Sequence, residues 1–141
     1  MIFTNQYKQA IPYPIHMALQ IPDNVITELN KPEFLEQIQN NRGLFFVKFG
    51  AEWCSPCKRI DPLVYSWFQR IQSDNVQCAL LDIDDNFEVY ALMKTKKIAN
   101  GVPAIICYHK DNKNIVPTGV VIGANETEVN HFFEQSMKLL Q

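Results

Sequence analysis

Long apolar runs are missing from this chain, and so is any strong excess of one charge. No apolar stretch approaches the roughly 20 residues a helix needs to span a bilayer, so no membrane association is expected. Lys and Arg number 13 against 15 Asp and Glu, for a net charge of −2 and a pI near 5.9. That balance gives no reason to expect a nucleic-acid or polyanion partner. Four cysteines in 141 residues are too few for a disulfide scaffold. The first 22 residues, MIFTNQYKQAIPYPIHMALQIP, lack both a basic leader and an uninterrupted apolar core, and Pro12, Pro14 and Pro22 break them further. They do not read as a secretory signal, and the expected location is the reducing cytoplasm. Internal repeats and low-complexity segments are absent as well.

What is present fits one domain, long enough to bury about 70% of its unfolded surface. Residues 1–22 read as an N-terminal extension and residues 23–141 as the domain. Val25 to Leu29 reads as a first strand. Asn30, Pro32 and Glu33 form a helix start, with a cap residue, a proline in the first turn and an acid three residues after the cap. This helix carries Phe34, Leu35 and Ile38 inward. LFFVKF, from Leu44 to Phe49, is almost continuously apolar, as in a strand covered on both faces, with Lys48 as its one interruption. From Ile60 to Ile71 the apolar residues recur at helical spacing, and Pro62 inside that run predicts a kink rather than a stop. A third strand runs from Val76 to Ile83 and a helix from Phe87 to Ile98. Two further strands, Ala104 to His109 and Val116 to Ile122, form a hairpin. An amphipathic helix from Glu126 to Leu140 closes the chain, with Val129, Phe132, Phe133, Met137 and Leu140 inward. The fold class is α/β, a mixed five-stranded sheet with helices on both faces.

The chemistry centres on FGAEWCSPCKRIDP, residues 49–62. A Cys-x-x-Cys where a buried strand meets a helix suits redox chemistry or half of a metal site. Cys54 falls at the helix cap, where free amides and the positive end of the helix dipole lower a thiol's pKa from about 8.5 toward neutrality. Cys57, one turn further in, is close enough to close a disulfide and is more shielded. An exposed nucleophile backed by a shielded resolving thiol is the arrangement that thiol–disulfide exchange requires. Pro56 fixes the turn between the sulfurs without loss of a helical hydrogen bond. Trp53 offers an apolar face beside them. Zinc would need four ligands. Cys78 and Cys107 fall on two different predicted strands, however, and His16, His109 and His131 are scattered. The two remaining cysteines read as small buried hydrophobes, and Lys94, Lys96 and Lys97 as a solvated helix face.

Trp53-Cys54-Ser55-Pro56-Cys57-Lys58 after a buried strand, Pro62, Gly101-Val102-Pro103 and Gly123-Ala124 occur in an order and spacing that resemble the thioredoxin family, over residues 24–141. The resemblance implies a thioredoxin fold and a thiol–disulfide oxidoreductase acting on protein disulfides. It implies no bound cofactor, and electrons supplied by a reductase or another dithiol. Cys54 and Cys57 would be catalytic. Val102-Pro103 would be cis and face the sulfurs, and with Trp53, Ser55 and Pro56 it would form the substrate surface, pairing with an extended segment as an added strand.

Three differences from the family pattern stand out. Ser55 replaces the usual glycine. Lys48 stands where a buried aspartate is usual, and Leu80 where that aspartate's lysine is usual. Gly50 replaces a frequent aromatic, which would open space near the site. Lys48 is therefore expected to tune the cysteine pair, favouring thiolate and a more oxidising disulfide. The alternative is a structural lysine that reaches solvent or pairs with Asp82 or Asp84. The Lys48-Phe49-Gly50 stretch and Gly-Ala-Asn-Glu at 123–126 also resemble Dim1-type spliceosomal proteins, so a non-catalytic interaction module is the rival reading.

Overall fold

The central strand, β1 (Leu44–Gly50), is buried along its whole length and sends alternate side chains to opposite faces of the sheet. Phe45, Val47 and Phe49 enter one core, with Phe34, Ile38, Val89 and Met93. Leu44 and Phe46 enter the other, with Ile60, Val64, Trp67, Phe68, Val129 and Phe133. Burial on both faces explains the near-continuous apolar run. The same alternation sends Lys48 and Gly50 toward the second face, which the Cys-Ser-Pro-Cys helix covers.

In this computed structural model, which describes residues 20–141, the order continues around β1 as follows. Helix α1 (Lys31–Gln39) starts in a capping box, with Asn30 Oδ1 accepting from the Glu33 amide and Glu33 Oε1 from the Asn30 amide. Helix α2 (Ser55–Ile71) runs on through Pro62. β2 (Val76–Asp82), α3 (Phe87–Thr95), β3 (Ala104–His109), β4 (Gly119–Ile122) and α4 (Glu126–Lys138) complete the domain. The strand order is β2-β1-β3-β4, with β1 parallel to β2 and antiparallel to β3, and β3 antiparallel to β4. Trp67 stacks on Phe133 at 5.0 Å and donates its indole N–H to Asn130, a core position as its helical spacing implies. No helix among the described residues is long and apolar enough to cross a membrane.

Among the described residues the sheet has four strands rather than five. Residues 25–29 make a single bridge to β2, between Ile26 and Ala79, and no ladder follows. Beyond the bridge, buried Asn86 accepts the Leu29 amide at 2.9 Å and donates to the Thr27 and Asp82 carbonyls. A side chain thus satisfies the backbone groups of this segment that point away from the β2 bridge. Leu35 and Leu140, expected inward, are 37% and 40% exposed. Both lie at the margin of an apolar stripe, and Leu140 follows the last helical turn. The expected extension falls outside the described residues except for residues 20–22.

Candidate active site

Strand β1 ends at Gly50, and the chain turns through Ala51, Glu52 and Trp53 into α2. Cys54 is the helix cap: its Sγ accepts from the Cys57 amide at 3.2 Å. Pro56 occupies the first turn, which carries no acidic residue, so nothing on that turn offsets the positive end of the helix. Cys54 and Cys57 are joined in a disulfide with Cα atoms 5.3 Å apart. Both are buried, Cys54 4% and Cys57 1% exposed, so the difference in shielding expected from the sequence is one of rank only. Around them pack Ala51, Ile83 and Val102.

The Val102-Pro103 peptide bond is cis, and the Val102 carbonyl oxygen lies 3.8 Å from Cys54 Sγ. The Pro103 carbonyl accepts from the Gly123 amide at 2.9 Å, which ties this loop to the end of β4. Trp53 is 67% exposed; its indole N–H donates to Asp84 Oδ2 at 2.9 Å. Ser55 is exposed and Pro56 half-buried. The structure therefore gathers Trp53, Ser55, Pro56, Val102 and Pro103 around one disulfide.

Lys48 lies on the inner side of the pair and is only 5% exposed. It pairs with neither Asp82 nor Asp84. Its Nζ meets Asp61 Oδ1 at 2.5 Å, while Asp84 is taken by Trp53. The residue opposite Lys48 on β2 is Leu80, so the neighbouring strand supplies no counter-charge. Gly50 lines a small cavity beside the pair, and Lys48 takes part of the space it leaves. A Cβ built there would stand 2.7 Å from Lys48 Nζ and 3.6 Å from Cys57 Sγ, so the missing side chain is the space that the ammonium uses. Tyr65 lines the same space as Lys48 and Asp61. Its pKa is pushed up to about 12, chiefly by burial and then by the charges of Asp61 and Glu52.

Sequence reasoning missed Asp61, although the signal was available. It stands four residues after Cys57 on α2 and so shares its face, and strand alternation turns Lys48 toward that face. Cys78 and Cys107 lie on β2 and β3, each opposite Phe46 on β1. Burial raises both thiols, Cys107 to about 12. They play no part in the site.

A disulfide-closing pair at a helix cap, facing a cis-proline loop across a mixed sheet, defines a dithiol–disulfide exchange protein. The thioredoxin family model matches residues 25–135, and the chain belongs to that family. It is 25% identical over 114 residues to a thioredoxin of Buchnera aphidicola subsp. Acyrthosiphon pisum, covering 81% of this chain and 98% of that one. It is 33% identical over 76 residues to the mitochondrial thioredoxin of Mus musculus, half of this chain and 45% of the mouse protein. The solved structure of Fasciola hepatica thioredoxin is similar at a TM-score of 0.63 and 26% identity, over 79% of this chain and 99% of that one. The activity is that of a thiol–disulfide oxidoreductase.

Proposed function

We propose that this protein reduces disulfides of other proteins, with Cys54 as nucleophile and Cys57 as resolving thiol. The observation that carries the reading is the position of Cys54 as helix cap, with the Cys57 amide aimed at its sulfur at 3.2 Å. In the dithiol form that amide and the helix N-terminus stabilise a Cys54 thiolate. The thiolate attacks a client disulfide, forming a Cys54–client bond and expelling one client thiolate. Cys57 then attacks Cys54 Sγ, which restores the disulfide and releases the second client thiol. Two electrons pass to the client, and a reductase or another dithiol returns them. The exposed face of Trp53 and the backbone at Val102 and Pro103 form the client surface, with Ser55 and Pro56 at its rim. Lys48 is the electrostatic tuner beneath the pair. The working compartment is a reducing one, the cytoplasm on the sequence reading. The rival Dim1-type reading draws no support from this site, because both cysteines are in place and within bonding reach.

The test is insulin reduction in the presence of dithiothreitol, together with trapping of clients by Cys57→Ser. Turnover by the unaltered protein, its loss in Cys54→Ser, and mixed disulfides on Cys57→Ser are the expected results. Partner binding that persists unchanged with both cysteines replaced, and no trapped adduct, would favour the interaction module.

A further inference from the structure

Lys48 stands neither as a lone cation nor in a pair with Asp82 or Asp84. The geometry pairs it with a carboxylate from another element. Lys48 reaches up from β1 into the space beside Gly50, which also borders Cys57 Sγ. Asp61 reaches down from α2 and meets the ammonium at 2.5 Å, with side-chain exposures of 6% for Lys48 and 15% for Asp61. A cavity of about 180 Å³ joins Lys48, Gly50, Cys57, Asp61, Tyr65 and Leu80. The other charged groups on its wall are Glu52 and Lys58, which face each other at 4.0 Å in solvent, and Asp82 at the end of β2. The ion pair thus borders the same space as Cys57 Sγ.

We propose that Asp61 is a positioning residue which, as the second half of a neutral pair with Lys48, sets the reduction equilibrium of the Cys54–Cys57 disulfide. This deepens the reading of that disulfide as the redox centre and rests on it. Each charge masks the other, so the inner sulfur meets a small dipole in place of a full charge. Removing the carboxylate exposes a cation, which favours Cys57 thiolate and hence the dithiol form. Removing the ammonium exposes an anion, which disfavours both. A dithiol reductant breaks the Cys54–Cys57 bond, delivers two electrons to the two sulfurs and is itself oxidised to a disulfide. Lys48 and Asp61 bias that reaction through the charge left on Cys57.

The test equilibrates the full chain, Asp61→Asn, Lys48→Met and the double variant with glutathione redox buffers, and reads the oxidised fraction by alkylation and mass. The reduced proteins are then titrated for iodoacetamide reactivity against pH. Asp61→Asn is expected to move the equilibrium about tenfold toward dithiol, a rise of ~30 mV, and to lower the pH at which Cys57 reacts. Lys48→Met should move both readouts the opposite way by a similar factor. The double variant should lie within about threefold of the unaltered protein, as should Asp61→Glu, which keeps the charge and covers the case in which the amide fails to fold. A merely structural Asp61 changes thermal stability but leaves equilibrium and pH profile in place. That result overturns the proposal, as does a shift of both single variants in the same direction. If the unaltered protein forms no reversible Cys54–Cys57 disulfide in these buffers, the redox reading itself falls, and this inference falls with it.

Discussion

Gly50→Ala probes the packing beneath the disulfide without replacing either cysteine or either charged residue. The position needs no glycine for its backbone, since the glycines with positive φ are Gly101 and Gly123. What it needs is space. The added methyl would stand 2.7 Å from Lys48 Nζ, so the ammonium must shift, and a shift away from Asp61, which it now meets at 2.5 Å, weakens the pair. At an effective dielectric near 20, a unit ion pair is worth about 6.6 kcal/mol at 2.5 Å and about 4 kcal/mol at 4 Å. The gross loss on separation is therefore roughly 2.5 kcal/mol. Asp61 is partly exposed and the cavity admits solvent, so hydration of the separated charges recovers part of it. A net destabilisation of about 1 to 2 kcal/mol follows, read as a fall in Tm of about 3 to 8 °C for a domain of this size. The assay is thermal and urea unfolding of the oxidised protein, followed by circular dichroism, in the native and Lys48→Met backgrounds. With methionine at 48 the methyl meets a flexible apolar end, and the cost should drop below about 0.5 kcal/mol. Equal losses in both backgrounds, or no loss in the first, would refute the idea that Gly50 exists to seat the ammonium.

Two further expectations concern the rest of the molecule. Cys78 and Cys107 are raised mainly by burial, so the reduced native protein should show two thiols reactive toward Ellman's reagent and the unfolded protein four. A group whose folded pKa is raised loses its proton first in the unfolded state. Stability should then fall as pH rises above about 9, by up to ~1.4 kcal/mol per pH unit for each such thiol. Urea unfolding at stepped pH measures the slope, which Cys78→Ala should make shallower; a flat profile contradicts the burial argument. Asn86→Ala strips the Leu29 amide and the Thr27 carbonyl of their side-chain partner. It should cost about 2 to 3 kcal/mol and speed amide exchange across residues 25–29, while unchanged exchange there would mean that the single bridge to β2 holds the segment alone.

Where the sequence was read from burial period, it was read well. The run LFFVKF predicted a strand covered on both sides, and the alternation of Phe45, Val47 and Phe49 against Leu44 and Phe46 realises it. The last two strands, the capped first helix and continuation through Pro62 were legible for local reasons: turn residues, a capping box and apolar spacing. The first strand was not legible as a single bridge, because the residue that holds the other edge of its backbone, Asn86, lies 57 positions away from Leu29. The cysteine pair and its proline loop were visible as motifs. The partner of Lys48 was not, because the acids nearest in the strand pattern, Asp82 and Asp84, lie at and just past the end of β2, whereas the pairing acid stands on α2. Asp84 is held by the Trp53 indole instead, and the counter-charge descends from the helix above.

That choice of partner follows from topology. A lysine on the central strand has three places from which a carboxylate can reach it: the strand on either side, or the helix laid across its face. In β2 the register position is Leu80, and in β3 it is Ile105, both apolar. Only α2 remains, and on α2 only a residue of the sheet-facing stripe near the end of β1 can meet Nζ. Asp61 is the acidic residue on that stretch, one turn beyond Cys57. A cation at position 48 that is only 5% exposed would otherwise carry its desolvation uncompensated, at several kcal/mol. Lys48, Asp61 and the missing side chain of Gly50 are therefore one structural unit. Replacing Lys48 by Asp would set two carboxylates against each other beneath Cys57 and should lower the reduction potential of the disulfide; a potential that holds or rises would show that the inner sulfur does not sense the pair.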